Sequence, residues 1–330
     1  MDLIAQVDFT SMSSGFLAKV SKENLVRNNG ECLRLLVDAV VKVNEPTSTG
    51  GKFMLVGGRN SPTDCVIYDV NTRKLTHLPK PNTKRIGSTS VKVRTKVYVS
   101  GGVDLEAGQS CEMLDLDQQI RWNMLPNLLE SHKNGGSCFV AGHIIVTGGW
   151  NCNHGILPSC EKFGFHNNTW VGISNMLHAR ADHGTAVCND LLYCIGGYDE
   201  NEVLSSCERY NMRSGNWNEI APLSQARQDL TCVVSNGNIY AIGGLGVNNE
   251  CLSTVERFIP RFGKWQNMAS LTVARCHASA CVIENKIFVI GGFDGEKDIK
   301  SIEVYYPVLN VWTIDFELKK PVREATVVAM

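Results

Sequence analysis

The chain has 330 residues, 43% of them apolar, and its 32 basic and 33 acidic residues leave a formal net charge of −1. That content can build a large core and excludes a disordered chain, and so small a charge excludes bulk attraction to nucleic acid or an anionic membrane. No run approaches the roughly 18 apolar residues of a membrane span and MDLIAQVDFT lacks a secretory signal's order, so a cytoplasmic chain with a protein or small-molecule partner is expected.

The first element expected is helical. In ECLRLLVDAVVKV the polar residues Glu31, Arg34, Asp38 and Lys42 fall on one narrow stripe, and most other positions are apolar. Asn29 suits a cap ahead of it, and Glu31 in the first turn suits the helix dipole. Residues 1–45 are too few to supply a core alone.

A sixfold repeat follows. A worn first copy has Gly57 and Gly58, with Leu75 where later copies have tryptophan. The next copies carry Gly101, Gly102, Glu112 and Trp122, then Gly148, Gly149, Glu161 and Trp170. The last three carry Gly196, Gly197, Glu208 and Trp217; Gly243, Gly244, Glu256 and Trp265; and Gly291, Gly292, Glu303 and Trp312. Successive glycine pairs lie 44, 47, 48, 47 and 48 residues apart, a period that fits four-stranded propeller blades and exceeds helical repeats. Within each copy a strand such as GTAVC, a short turn, and an apolar run such as LLYCIGG read as a hairpin, followed by strands around the glutamate and the tryptophan. Blades are expected near 50–80, 86–127, 134–176, 181–223, 228–270 and 276–318. The first lacks an opening strand, and 323–330 (REATVVAM) is a strand with no blade to follow, so the tail is expected to close blade one.

The 13 cysteines follow the repeat rather than a pairing plan. Cys111, Cys160 and Cys207 precede the marker glutamates where later copies place Val255 and Ile302, as expected of buried reduced thiols. Cys138 and Cys232, each five residues after Lys133 and Arg227, are assigned one register. Cys152, His154 and Cys160 match no zinc spacing, and the glycine pairs lack the helix and lysine of a phosphate loop, so no metal and no cofactor is expected.

Paired glycines, a glutamate and a tryptophan at this period resemble the kelch repeat over residues 50–330. The resemblance implies an all-β, six-bladed kelch propeller preceded by a short α-helical segment. FTSMSSGFLAKVSKENLVRNNGECLRLLVDAVVKVN resembles the final part of the BACK region, so the chain is similar to the kelch-like (BTB-BACK-kelch) family, with the BTB domain and most of BACK absent. The resemblance implies a substrate-recognition adaptor of a cullin-3 ubiquitin ligase, which would need the BTB domain from a partner or a longer form. Kelch proteins that bind actin supply an alternative, and kelch-type metal oxidases a distant one.

Loop lengths choose the working face. Segments 150–159, 245–254 and 293–301, between second and third strands, are longer than the turns at the opposite rim. After the glycine pairs stand Arg59, Val103, Trp150, Tyr198, Leu245 and Phe293, a ring with the composition of a binding hot spot. A second ring, Arg85, Lys133, Arg180, Arg227, Arg275 and Arg323, begins the inner strands. Some of these cations are expected to pair with loop acids such as Asp104, Glu106, Asp199, Glu202 or Asp294, and the rest to accept an acidic peptide bidentately, as in similar kelch adaptors. No nucleophile elbow or metal helix occurs, the recurring glutamates read as structural, and so do His183 and His277, so no catalytic residue is assigned.

Overall fold

The computed structural model describes residues 51–102, 108–118 and 120–330, together with isolated positions between 19 and 36. At those early positions the Glu23 amide donates to the Val20 carbonyl at 3.1 Å, and Val26, Cys32 and Leu36 are buried. The polar stripe and the Asn29 cap lie outside the described residues.

From Gly51 onward the chain is a six-bladed all-β propeller. Blade one holds β1 (Lys52–Val56), β2 (Cys65–Asp69) and β3 (Leu75–His77). Blade two is β4 (Thr89–Val93), β5 (Lys96–Ser100), β6 (Cys111–Asp115) and β7 (Trp122–Leu125). Blade three is β8 (Gly136–Val140), β9 (His143–Thr147), β12 (Cys160–Gly164) and β13 (Thr169–Ile173), and a loop hairpin of β10 (Trp150–Asn151) and β11 (Gly155–Ile156) lies between its second and third strands. Blade four is β14 (Gly184–Cys188), β15 (Leu191–Ile195), β16 (Cys207–Asn211) and β17 (Asn216–Ile220). Blade five is β18 (Thr231–Ser235), β19 (Asn238–Ile242), β20 (Val255–Ile259) and β21 (Lys264–Asn267). Blade six is β22 (Ser279–Ile283), β23 (Lys286–Ile290), β24 (Ser301–Tyr306) and β25 (Val311–Glu317). The tail strand β26 (Thr326–Ala329) pairs antiparallel with β1, Phe53 opposite Ala329, and so becomes the innermost strand of blade one. Every blade then has four strands, and the edges left around the axis are the short innermost strands that the ring protects.

The blades are joined by one set of contacts repeated at five seams. Each tryptophan packs on its own blade, four of them buried and Trp265 partly so, and donates its indole N–H to a carbonyl in the preceding linker: Trp122 to Pro79, Trp170 to Pro126, Trp217 to Ser174, Trp265 to Ala221 and Trp312 to Ala269, at 2.8–3.1 Å. Each marker glutamate caps linker amides; Glu208 accepts from Leu177 at 2.7 Å, and Glu256 from Ser224 at 2.8 Å and Gln225 at 3.3 Å. A buried carboxylate held this way satisfies donors that would otherwise lie in the seam without acceptors.

The glycine pairs are dictated by approach of the next blade. A Cβ on Gly148 would stand 2.3 Å from the Arg180 carbonyl, and the residue holds φ +54°, where a side chain is strained. The cysteines pack as thiols: burial pushes Cys111 up to about 11 and Cys194 and Cys207 to about 12. One assignment changes. Cys138 pairs opposite Ile145 and Cys232 opposite Ala241, one position out of step; Cys138 shares its register with Val233 and Cys281, since Lys133 is not the counterpart of Arg227.

Candidate functional site

At the face where the long loops emerge, six residues meet on the axis: Gly87, Asn134, Asp182, Asp229, His277 and Glu324. All six hold φ between 52° and 60°. Their backbones form a closed ring, each amide donating to the previous blade's carbonyl: Asn134 to Gly87, Asp182 to Asn134, Asp229 to Asp182, His277 to Asp229, Glu324 to His277 and Gly87 back to Glu324, at 2.8–3.3 Å. Glycine, asparagine and aspartate tolerate that conformation; His277 and Glu324 are held in it by the ring.

The side chains of this hub line a well of about 130 Å³. Burial, followed by the Asp229 charge and a side-chain hydrogen bond with it, holds the Asp182 carboxyl well above the usual carboxylate range. Asp229 in turn pairs with His277 Nδ1 at 2.8 Å. Glu324 accepts from Arg59 Nε at 3.1 Å and pairs with its Nη2 at 2.9 Å.

The expected ring of exposed cations divides in two. Arg85, Arg180, Arg227 and Arg275 are 0–1% exposed and run inward between blades rather than to the mouth. Each meets its seam's marker glutamate, Arg85 with Glu112 and Arg180 with Glu208 at 2.7 Å, Arg227 with Glu256 at 2.9 Å, and Arg275 with Glu303. Each also donates Nη1 to a first-glycine carbonyl, Arg180 to Gly196 at 2.7 Å and Arg227 to Gly243 at 2.9 Å. Burial pulls Arg227 and Arg275 below their ordinary value while the glutamates pull them back, and a guanidinium stays charged throughout. These four are corrected from peptide ligands to seam struts, because every donor that could reach a peptide is enclosed.

Lys133 and Arg323 sit one residue further along than those four. The counterpart of the buried arginine is His132 in blade three, whose Nε2 lies 3.0 Å from Glu161, and Val322 at the final seam, whose carbonyl accepts from Gly292 as that of Arg275 does from Gly244. The offset leaves both cations at the mouth. Lys133 Nζ stands 5.3 Å from the centre of the Trp150 ring, and the Arg323 guanidinium 4.4 Å from that of Phe293. Arg323 also pairs with Asp298 at 3.5 Å, the one acid-to-arginine loop pairing there besides those of Glu324 among the described residues.

Of the residues following the glycine pairs, Trp150 is 40% exposed on the loop hairpin, and the Arg59 side chain 58%. Tyr198 is half-buried and donates its hydroxyl to the Glu200 carbonyl at 2.6 Å. Val103, Asp104 and Glu106 lie outside the described residues. Asp199 and Asp294 spend a carboxylate oxygen on amides of their own loops, Glu202 at 2.9 Å and Lys297 at 2.8 Å, rather than on arginine. Buried His183 receives or donates through Nε2 to Thr147 Oγ1 at 2.9 Å, and burial pushes it down to about 3. Cys152 is exposed, Cys160 is buried, and His154 lies 3.6 Å from Glu130 instead of beside either thiol.

The sequence reading missed the hub. Its signal is a residue able to enter the left-handed region two places after each seam residue, as in Arg180 to Asp182 and Arg227 to Asp229. Among the described residues no helix is long and apolar enough to cross a membrane.

Comparison with known proteins agrees with this geometry. The KLHDC2/KLHL20/DRC7 Kelch-repeats domain matches residues 44–244 and 87–292, and the Kelch motif matches 274–314. A putative F-box/kelch-repeat protein of Arabidopsis thaliana is 31% identical over 130 residues, covering 36% of this chain and 33% of the relative. Kelch-like protein 7 of Gallus gallus is 24% identical over 265 residues, 60% of this chain and 45% of the relative. Kelch-like protein 41a of Danio rerio is 26% identical over 147 residues, 43% and 24%. The chain thus spans less than half the length of each of these relatives.

Proposed function

Because the chain belongs to the kelch-repeat family, we propose that its propeller acts by binding rather than catalysis, selecting partner proteins on the loop face for a cullin-3 type ubiquitin ligase. The observation that carries the reading is Trp150, 40% exposed on a two-stranded hairpin that is hydrogen-bonded to Lys133 and so held against the hub. A large ring fixed on a rigid rim loses little entropy when a partner covers it. Tyr198 and the 64% exposed Val247 extend that surface along neighbouring loops. The hub adds rigidity more than charge, since Asp182 is held well above the usual carboxylate range, Asp229 lies against His277 and Glu324 pairs with Arg59. The ligase part rests on the similarity to kelch-like proteins such as Kelch-like protein 7 of Gallus gallus.

The test is proximity labelling in cells with the native chain, a Trp150→Ala/Tyr198→Ala variant, and a control at Phe262, which is 65% exposed at the opposite rim. The loop-face variant is expected to lose the partners that Phe262→Ala keeps, and cullin-3 to be among the labelled proteins. Partners retained by the loop-face variant would refute the assignment of the face. Sedimentation with purified actin filaments, absent cullin labelling, would transfer the reading to a cytoskeletal binder.

A further inference from the structure

Five seams are closed by a tryptophan, a glutamate and a buried arginine or histidine; the sixth, between blades six and one, has none of them. Strand register places Val66 where the others have glutamate, Leu75 where they have tryptophan, and Val322 where they have arginine or histidine. Leu75 itself is 37% exposed. In the space left by those side chains is a pocket of about 890 Å³, by volume within the range of ligand sites.

The pocket keeps the shape and the bonding demands of what is missing. Its apolar floor is Leu55, Val66, Tyr68 and Leu318, and Phe316, stacked on Tyr68 at 4.8 Å between ring centres, fills only part of the aromatic position. In the neighbouring seam Glu303 accepts from the amides of Thr272 and Val273. The equivalent amides here belong to Lys319 and Lys320, and neither has an acceptor among the described residues. Lys319, Lys320 and Lys74 line this opening with Arg73, which pairs with Asp315 at 3.9 Å, against the two acids Asp64 and Glu317.

We propose that this seam is a docking site for an acidic peptide segment of a partner protein, one aromatic side chain filling the tryptophan position and a neighbouring carboxylate accepting from the Lys319 and Lys320 amides. Charge selects the acid, since the opening carries an excess of cations. The floor selects the ring, because burying an aromatic side chain there removes apolar surface of both partners from water. The pocket reaches the loop face at Asn60, Ser61 and Arg323 but is not lined by Trp150, Tyr198 or Val247, so it does not depend on that reading.

The test uses the full chain and a fluorescein-labelled pentapeptide, Gly-Glu-Trp-Glu-Gly, read by anisotropy at low salt. Saturable binding is expected, weakened at least tenfold when the peptide glutamates become glutamine or its tryptophan alanine. The same loss is expected in Lys319→Glu/Lys320→Glu, whose side chains are exposed and whose folding is therefore safe. It is expected also in Val66→Glu/Val322→Arg, which returns an internal carboxylate to those amides. Trp150→Ala should leave the affinity unchanged. No saturation at millimolar peptide, or affinity that Lys319→Glu/Lys320→Glu leaves within twofold, overturns the proposal, as does loss of binding in Trp150→Ala.

Discussion

Replacing Glu208 by valine reproduces in a complete seam what blade one has at Val66, and the structure sets the size of the effect. The Glu208 carboxylate is 0% exposed, accepts from the Leu177 amide at 2.7 Å, and pairs with the equally buried Arg180 at 2.7 Å. Removing it leaves a guanidinium enclosed without its counter-charge, which costs about 3–5 kcal/mol, and unpairs at least one linker donor, about 1–3 kcal/mol more before relaxation. Water entering the opened seam recovers part of this, so a loss of about 4 kcal/mol is expected for Glu208→Val. Arg180→Val should cost roughly 3 kcal/mol, since Glu208 then keeps its amide donors but loses the ion pair. The double variant removes both buried charges and should cost about 4 kcal/mol rather than the sum, a coupling of about 3 kcal/mol. Urea unfolding followed by tryptophan fluorescence measures all three midpoints, and Val66 with Val322 shows that the fold tolerates the doubly apolar seam. Strictly additive losses, or a single-variant loss below about 1 kcal/mol, would refute the account of the arginines as seam struts.

Gly243→Ala should destabilise by about 2–4 kcal/mol, because the new Cβ meets the Arg275 carbonyl at 2.4 Å at φ +60°; an unchanged urea midpoint would contradict the packing argument. His183, pushed down to about 3 from an unfolded value near 6.5, stabilises fully above about pH 6.5, and that contribution falls by about 1.4 kcal/mol per unit as pH is lowered towards 3. Stability measured from pH 7 to pH 4 should therefore slope less in His183→Gln. Asp182 has the opposite sign: its raised carboxyl favours folding below the unfolded carboxylate pKa and loses that advantage as pH rises, so Asp182→Asn should raise the thermal midpoint at pH 7 and lose the gain in acid. Maleimide at pH 7 followed by mass mapping should label exposed Cys152 before Cys111, Cys194 or Cys207, which burial keeps as thiols; early labelling of the latter group would indicate an open seam.

The sequence by itself determined the repeat, the blade count and the structural role of the marker residues, because strand alternation, glycine pairs and tryptophans act within one blade or across one seam and therefore recur at a fixed period. It also showed where the pattern was worn, at Leu75, though not that the loss would open a pocket. Which cations face solvent was decided only by the tertiary structure. Arg180 finds its carboxylate 28 residues away in the next blade, whereas Lys133, one position along the linker from His132, turns out onto Trp150. The hub likewise exists only in the closed ring: each of its amides is satisfied by a different blade, so neither the left-handed backbone nor the raised Asp182 carboxyl beside Asp229 has a cause within any single repeat.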